Sequence, residues 1–540
     1  MVHPALQITE LVTLICSFAS PETCACLART CKDFLEPALD SLWSVQATFG
    51  LLLCILPDVF TLVPVANEDA FWVNLNRDLT DDEWARLAFY GARIKRLYVG
   101  HAFDGTEYAL RLSAGFIHGW LRYTGRMDLP LSLCPRVAHV HWVKLSAFAL
   151  PLECMFWSRP GVPSIELVMA RMDPAQVGDD FASALQTVVN ASLVQLRVTN
   201  PRADERPLDT IIARLVRQCT MLELVELSYV SPSCLQALGA LPALHTLYIG
   251  GLAGLDDEVW STAFTALKDL KVTGRIEESL YLLRKLSGAQ GLRSVSIIFS
   301  YPSFRNNIPV SRRRPQQIAC LCEAITRYCP AALTHLNITD DTSMWSLHNS
   351  EQSPYYAIEF DCISALRSLK SLRELVIEPW GSIDLDDRDM ESLLSAWPVI
   401  ESLHFLRPYS PRFEPVFTTL ATPAALLSVA RHCPRLREMT FTFDASGFRV
   451  VHGGRPGGGL TQSSLVMLDA GTYVWDHDDL TVALAALISD VFPALTNITS
   501  DAQREANALN EGEDIPEEYR KLEKLREMVT LANSNWVQER

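Results

Sequence analysis

Two stretches of the sequence have residue types at spacings that could bind phosphate or calcium. Residues 453–459 are rich in glycine, as phosphate-binding loops are, but they lack the Gly-Lys-Ser/Thr ending that contacts phosphate and magnesium. Residues 384–389 have acidic side chains at nearly the spacing of a calcium loop. However, Asp389 stands where that loop needs glycine, and Ser395 where it needs the closing glutamate. We therefore expect a flexible loop and the acidic start of a helix, respectively.

Catalytic motifs are missing from the sequence. It contains no nucleophile elbow, no His-Glu-x-x-His motif and no dinucleotide fingerprint. The 14 cysteines include no Cys-x-x-Cys pair, and the pairs Cys24/Cys26 and Cys320/Cys322 are too closely spaced for a usual zinc site. We expect most cysteines to be small core residues in a reducing compartment, and the protein to have no cofactor, no metal and no enzymatic activity. The alternative is a hydrolase or transferase site in the insertions around residues 300–360.

The composition is that of a large globular chain with an acidic balance. Its 540 residues exceed what one compact core usually organises, so several domains or a repeat array are expected. The formal net charge of −16 disfavours nucleic acids and anionic membranes as partners, because both bind lysine and arginine. No secretory signal is visible, and the apolar run at residues 51–56 is far shorter than the roughly 20 residues that span a bilayer. We expect no nucleic acid partner and no membrane partner.

A six-residue phrase, aliphatic-x-x-aliphatic-x-aliphatic, recurs through the centre of the chain. It begins at Ile94, Leu193, Leu222, Leu244, Leu267, Leu292, Leu333, Leu372, Ile400 and Leu436, with weaker copies at Val137, Val162 and Leu495. The interval is 22 residues from Leu222 to Leu244 but 41 residues from Leu292 to Leu333. The phrase predicts one strand per repeat, and the long intervals indicate insertions.

Helices are predicted between several of these strands. Three segments place apolar side chains at helical spacing, namely residues 208–219, 317–329 and 423–433. A Cys-Pro pair precedes three of the phrases, at Cys134-Pro135, Cys329-Pro330 and Cys433-Pro434. Proline ends a helix and favours extended backbone before it, so the repeating unit is a helix, a Cys-Pro turn and a strand.

This unit resembles the leucine-rich repeats of F-box proteins, in particular the degenerate fungal form marked by Cys-Pro. The resemblance implies an α/β fold, a curved solenoid over residues 91–500 with parallel strands on the concave face and helices outside. An ordinary α/β domain with leucine-rich strands is the alternative.

The polar positions of the phrase are candidates for substrate binding, because alternating side chains of a strand share one face. Both charge signs occur there together with tyrosine and histidine, which favours a protein substrate over a phosphate backbone. The candidates are Arg96, Tyr98, Arg197, Glu226, His245, Tyr248, Lys271, His335, Arg373 and His404.

Residues 1–45 are predicted to form three short helices. Thr9 could cap the first, whose apolar side chains Leu11, Leu14, Ile15 and Phe18 follow helical spacing. Ser20-Pro21 is a typical helix start, and Pro37 is expected to begin the third helix. A unit this small has a thin core and gains stability by docking on something else.

Two short patterns bracket these helices. Residues 8–12 read Ile-Thr-Glu-Leu-Val, and residues 30–34 read Thr-Cys-Lys-Asp-Phe. They resemble the opening and closing patterns of an F-box, with Thr9 in place of the usual proline and Thr30 in place of the usual valine. The resemblance implies docking on the Skp adaptor, and through it on a cullin scaffold, so that a protein substrate on the repeats is ubiquitinated. The docking residues so implied are Ile8, Leu11, Val12, Ile15, Leu27, Cys31, Phe34 and Trp43. A non-ligase repeat scaffold with an F-box-like cap is the alternative.

Predictions for the remaining segments concern how they pack on the repeats and where the protein is located. Residues 46–90 are predicted to be a helical linker packed on the first repeat, and residues 501–540 a charged helix that caps the last repeat or binds a partner. Residues 312–314, three consecutive arginines, are a nuclear import signal or an exposed loop. The expected location is cytoplasmic, nuclear or both.

Overall fold

The chain divides into two compact units, Met1–Asp256 and Asp257–Arg540, called unit 1 and unit 2. The computed structural model describes residues 8–65, 70–99, 109–128, 131–143, 156–157, 161–168, 192–199, 206–252, 264–286, 288–299, 314–340, 357–379, 382–406, 420–446, 448, 455–470, 478–500 and 517–538.

Unit 1 begins with three helices, as predicted: α1 (Thr9–Phe18), α2 (Pro21–Leu27) and α3 (Lys32–Ser44). Ser20 accepts a hydrogen bond from the backbone N–H of Thr23, which confirms its role as the cap of α2. The core of the three helices consists of Val12, Cys16, Cys24 and Ala38.

Two local expectations for these helices are wrong. Thr9 is the first residue of α1 rather than its cap, and Pro37 lies inside α3, which begins five residues earlier. The face of α1 that carries Leu11 and Phe18 is exposed, because α1 packs on α3 through Val12 and Cys16.

A small mixed sheet and three helices follow. The strands are β2 (Phe60–Pro64), β3 (Ala70–Leu75) and β5 (Ala109–Leu112), and the helices are α4 (Gly50–Leu53), α5 (Asp81–Gly91) and α6 (Ala114–Met127). Strand β3 pairs antiparallel with β2 and parallel with β5. Residues 46–90 are therefore not purely helical: the stretch Ala-Phe-Trp-Val-Asn-Leu is a strand, since aromatic and β-branched residues fit a sheet surface.

The main sheet of unit 1 is entirely parallel. Its strands pair in the order β1 (Val45–Gln46), β4 (Arg96–Val99), β6 (His139–Val143), β7 (Ser164–Val168), β8 (Gln195–Thr199), β9 (Leu224–Leu227) and β10 (Thr246–Ile249). Helices α7 (Arg206–Gln218) and α8 (Pro232–Gly239) follow β8 and β9 in the chain. Register aligns one buried row across the sheet, comprising Leu97, Val140, Ile165, Leu196, Val225 and Leu247.

The main sheet of unit 2 is also parallel. Its strands pair in the order β11 (Asp269–Gly274), β12 (Ser294–Phe299), β13 (His335–Asp340), β15 (Glu374–Glu378), β17 (Ser402–Phe405), β18 (Glu438–Thr440), β19 (Met467–Asp469) and β20 (Asn497–Thr499). Strands β14 (Ala357–Glu359) and β16 (Ser382–Asp384) form a separate pair. The helices are α9 (Ile276–Lys285), α10 (Arg314–Tyr328), α11 (Phe360–Ile363), α12 (Asp387–Leu394), α13 (Ala425–His432), α14 (Asp478–Val491) and α15 (Glu517–Gln538).

The strand predictions are confirmed at every copy of the phrase, including the three weaker ones. Strand β19 was not predicted, because its phrase begins at Leu465 and ends in the small residue Ala470 instead of a large aliphatic. Parallel strands separated by helices make this an α/β protein of the kind that leucine-rich repeats form.

The Cys-Pro turns place thiols inside the protein. Cys134, Cys329 and Cys433 are buried, and burial raises the pKa of the Cys329 and Cys433 thiols to about 12. Cys433 Sγ lies 3.7 Å from the carbonyl oxygen of Leu394, the last residue of α12. Among the described cysteines none forms a disulfide.

Helix α15 covers the last strand of unit 2. Its side chains Leu522, Leu525 and Val529 are buried. The Arg526 guanidinium donates to the carbonyl oxygen of Ile498 in β20 at 2.6 Å. This contact satisfies a backbone group at a sheet edge, where an open edge would invite pairing with another chain.

Candidate interaction surfaces

Among the described residues of unit 1, the α1 apolar face is the clearest exposed apolar feature. It consists of Ile8, Leu11, Leu14, Ile15 and Phe18, of which Phe18 is 85% exposed. The opposite side of α1 contributes Val12 and Cys16 to the core. Large apolar side chains at helical spacing, with the core on the other side, are typical of a helix that docks on a partner.

The structure separates the predicted docking residues by exposure. Ile8, Leu11, Ile15 and Cys31 are exposed. The other four are not, because Val12 is a core residue, Leu27 and Phe34 pack on that core, and Trp43 is half-buried.

Trp43 belongs to the connection between the three helices and the repeats. Its ring centroid lies 4.7 Å from that of Tyr90 in α5. Strand β1 continues directly from α3 and pairs with β4, and the backbone N–H of Lys95 donates to Ser44 O at 2.9 Å. The helices are thus tied to the first repeat by main-chain hydrogen bonds as well as by side chains.

Arg93 strengthens the same connection. Although it is only 7% exposed, its guanidinium contacts Asp40 and lies 2.6 Å from Glu36 Oε2, both on α3, and it stacks over the Phe89 ring. Burial opposes its charge, but the hydrogen bonds to Glu36 and Asp40 outweigh that effect and raise the Arg93 pKa.

The polar face of the unit 1 sheet contains residues that were not among the predicted substrate-binding residues. One row aligns Tyr98, His141, Glu166, Arg197, Glu226 and Tyr248 by register. Four of them were predicted, whereas His141 and Glu166, together with His139, lie in the weaker copies of the phrase. Arg197 Nε lies 3.5 Å from Glu226 Oε2, so charges of opposite sign pair across neighbouring strands.

His139 is held by a chain of polar contacts. Its Nδ1 lies 2.7 Å from Ser164 Oγ, which donates to Gln195 Oε1 at 3.2 Å, and its Nε2 lies 3.8 Å from Glu166. Partial burial lowers the His139 pKa, although Glu166 opposes that shift. The ring of His141 lies 5.2 Å from that of Tyr98.

In unit 2 the predicted residues Lys271, His335 and His404 lie on the strands. His404 Nδ1 lies 2.9 Å from Thr440 Oγ1, and its Nε2 lies 2.7 Å from Ser402 Oγ. Burial lowers its pKa despite nearby carboxylates. These contacts fix the His404 ring between β17 and β18.

Two predicted residues lie just before strands rather than on them. Arg373 precedes β15 and pairs with Glu401 at 3.4 Å. His245 precedes β10, where its Nε2 lies 3.3 Å from Glu223 Oε2. Both therefore lie at the edge where strands begin, beside the rows formed by the strand residues.

The stretches that resemble ligand loops have structural roles in the described residues. Asp386 caps α12 by accepting from the N–H groups of Arg388 and Asp389, which confirms the predicted helix start. Of the arginine run, Arg314 is described: it is buried and pairs with Asp340 at 3.1 Å. Gly453 and Gly454 lie outside the described residues, while the N–H of Gly457 donates to Asp490.

Metal and membrane features are absent from the part of the chain that the structure describes. No group of three or more His, Cys, Asp or Glu side chains there could hold a metal ion. None of the helices within those ranges is long and apolar enough to cross a membrane.

Several solved structures are similar to this chain over most of its length at low sequence identity. An internalin from Listeria monocytogenes has 13% identity and a TM-score of 0.29, covering 78% of this chain and 83% of its own. The complex of Rad7 and Elc1 in yeast has 11% identity and a TM-score of 0.29, covering 91% of this chain and 87% of that chain. The leucine-rich-repeat protein LegL7 from Legionella pneumophila has 12% identity and a TM-score of 0.26, covering 67% and 89%.

No protein-family model matches the chain, and no curated protein matches it in sequence. TM-scores this low do not establish a shared fold, so the α/β architecture is assigned from the strand register described above.

Proposed function

We propose that this protein is the substrate-recognition subunit of an SCF-type cullin–RING ubiquitin ligase. The α1 apolar face docks on the Skp adaptor, and the polar faces of the parallel sheets bind a protein substrate. The observation that carries the proposal is the α1 apolar face itself, which exposes five large apolar side chains opposite a packed core.

The connection between α3 and the first repeat gives this proposal a mechanism. A ligase subunit without catalytic residues acts by holding substrate lysines near the charged conjugating enzyme, which raises their effective concentration. A rigid connection keeps the distance between the substrate lysines and the conjugating enzyme within a small range. The main-chain bond from Lys95 to Ser44 and the ion pairs of Arg93 supply such a connection within unit 1.

The mixed charge of the strand faces supports a protein substrate. Arg197 and Glu226 pair with each other, while Tyr98 and Tyr248 are half-buried at the two ends of their row. Tyrosine and arginine are enriched at protein interfaces, because they offer large contact areas with a polar end.

Co-purification from cells tests the proposal. The full-length Leu11→Asp/Ile15→Asp double variant should lose the adaptor and cullin that the wild-type chain recovers. Val482→Asp is the matched control, since Val482 is an equally exposed aliphatic residue on α14 in unit 2. Failure of the wild-type chain to recover adaptor, where another F-box protein does, would contradict the ligase function.

The alternative is a non-ligase repeat scaffold in which the three helices only cap the sheet. Thr9 and Thr30 favour it, since both replace residues that the F-box patterns usually contain. This alternative predicts that the double variant keeps every partner of the wild-type chain.

A further inference from the structure

A cavity of about 330 Å³ lies between β3, α5 and α6, apart from the α1 apolar face and the polar strand faces. Its volume is at the lower end of the ~300–1,000 Å³ typical of small-molecule sites. It is lined by Leu75, Asp78, Leu79, Trp84, Gly119, Arg122 and Arg126.

The apolar part of the cavity is formed by Leu75, Leu79 and Trp84. Leu79 and Trp84 are buried, and the indole packs among Phe116, Trp120 and Tyr123 of α6. Gly119 allows this approach, because a Cβ at that position would lie 2.9 Å from Trp84 Cζ2. The indole is therefore held rigidly by its neighbours, and only its edge reaches the floor of the cavity.

The polar part consists of two guanidinium groups one helical turn apart on α6. Arg122 lies 3.4 Å from Asp78, and Arg126 lies 2.6 Å from Asp81. All four side chains are more than half exposed, so these ion pairs are weak and exchange readily. Each guanidinium has five N–H donors, and among the described residues each pair uses only an Nη2 group.

We infer that this cavity binds an organic carboxylate attached to an apolar body. The carboxylate takes the place of Asp78 on Arg122 and reaches Arg126, with the geometry that guanidinium groups favour. The apolar body enters the cavity beside Leu75, above the floor that Leu79 and Trp84 form. A free acid and the C-terminal residue of a peptide share this chemistry.

The test uses the full chain and 3-phenylpropionate, followed by titration calorimetry and ligand-observed NMR. We expect saturable binding with a Kd of about 1 mM or tighter. The comparison ligands are 3-phenylpropanol, which lacks the charge, and propionate, which lacks the ring; both should bind at least about tenfold more weakly. N-acetyl-Gly-Phe and its amide then show whether a peptide terminus is accepted.

Variants separate the site from nonspecific binding. Arg122→Gln/Arg126→Gln should weaken binding at least about tenfold, whereas Arg86→Gln, an exposed arginine on α5, should leave it unchanged. Asp78→Asn should strengthen binding, because the competing carboxylate is removed; a misfolded variant could not give that result. Absence of saturable binding, equal binding of the alcohol, or unchanged affinity in the double variant would overturn the inference.

Discussion

Arg93 offers a sharp test of the connection between the three helices and the repeats. Replacing it with alanine removes the contacts to Glu36 and Asp40 and the stacking on Phe89. A hydrogen bond between charged groups contributes ~1.5–3 kcal/mol, but the exposure of Glu36 (62%) and Asp40 (41%) reduces each to about 1 kcal/mol. The stacking adds ~0.5–1 kcal/mol, so Arg93→Ala should destabilise the connection by about 2.5–3 kcal/mol.

Hydrogen exchange with mass spectrometry measures this loss locally. Peptides that cover residues 44–46 and 95–97 should exchange about 70- to 150-fold faster in Arg93→Ala. Arg122→Ala is the matched control, since its ion pair with Asp78 is exposed on both sides and contributes at most ~1 kcal/mol. Equal exchange in the two variants would refute the role assigned to Arg93.

Three further predictions concern other parts of the chain. Leu525→Ala should destabilise unit 2 by ~2–5 kcal/mol in urea unfolding, because it leaves a cavity under α15, whereas the exposed Leu531→Ala should change it by less than ~0.5 kcal/mol. Hydrogen bonds from the Arg77 guanidinium and the Thr80 backbone N–H lower the Glu83 pKa to about 2. The stability that these bonds contribute is therefore complete above the ordinary pKa of 4.5 and is lost as the pH falls toward 2. Glu83→Gln should remove that pH dependence from the hydrogen exchange of the α5 amides. Iodoacetamide at pH 8 should label the exposed Cys26 and Cys54 but not native Cys433, whose thiol is buried with a pKa of about 12; rapid labelling of Cys433 would show that its turn opens.

The strands were predictable because most repeats bury the same three aliphatic positions. Leu267, Leu270 and Val272 are all nearly inaccessible, and the same three positions are buried in the copies that begin at Leu193, Leu222 and Leu292. Hydrophobic spacing reports this burial directly. Where the final residue is small, as at Ala470, the sequence no longer matches the pattern although the strand is present.

The faces of helices were harder to predict, because spacing identifies an apolar stripe but not what covers it. In α1 the larger side chains, such as Leu11 and Phe18, are exposed, while the smaller Val12 and Cys16 form the core. Only the positions of α2 and α3 decide between the two faces. Exposure of the larger stripe is what makes α1 a candidate docking helix.

Site residues from weak repeats were missed for a related reason. His139, His141 and Glu166 align with predicted residues by register, yet their phrases begin with valine instead of leucine or isoleucine. The cavity lined by Trp84 and Arg126 combines a strand and two helices, and no local pattern signals such a combination.

The most direct test of the proposed ligase function is the affinity of the purified full-length chain for purified Skp adaptor, measured by titration calorimetry. The account predicts specific binding that Leu11→Asp/Ile15→Asp weakens at least about 100-fold, since buried interface anchors contribute ~2 kcal/mol or more each. Val482→Asp should bind as the wild-type chain does. Absence of adaptor binding by the folded wild-type chain, or equal affinity in the double variant, would contradict the account.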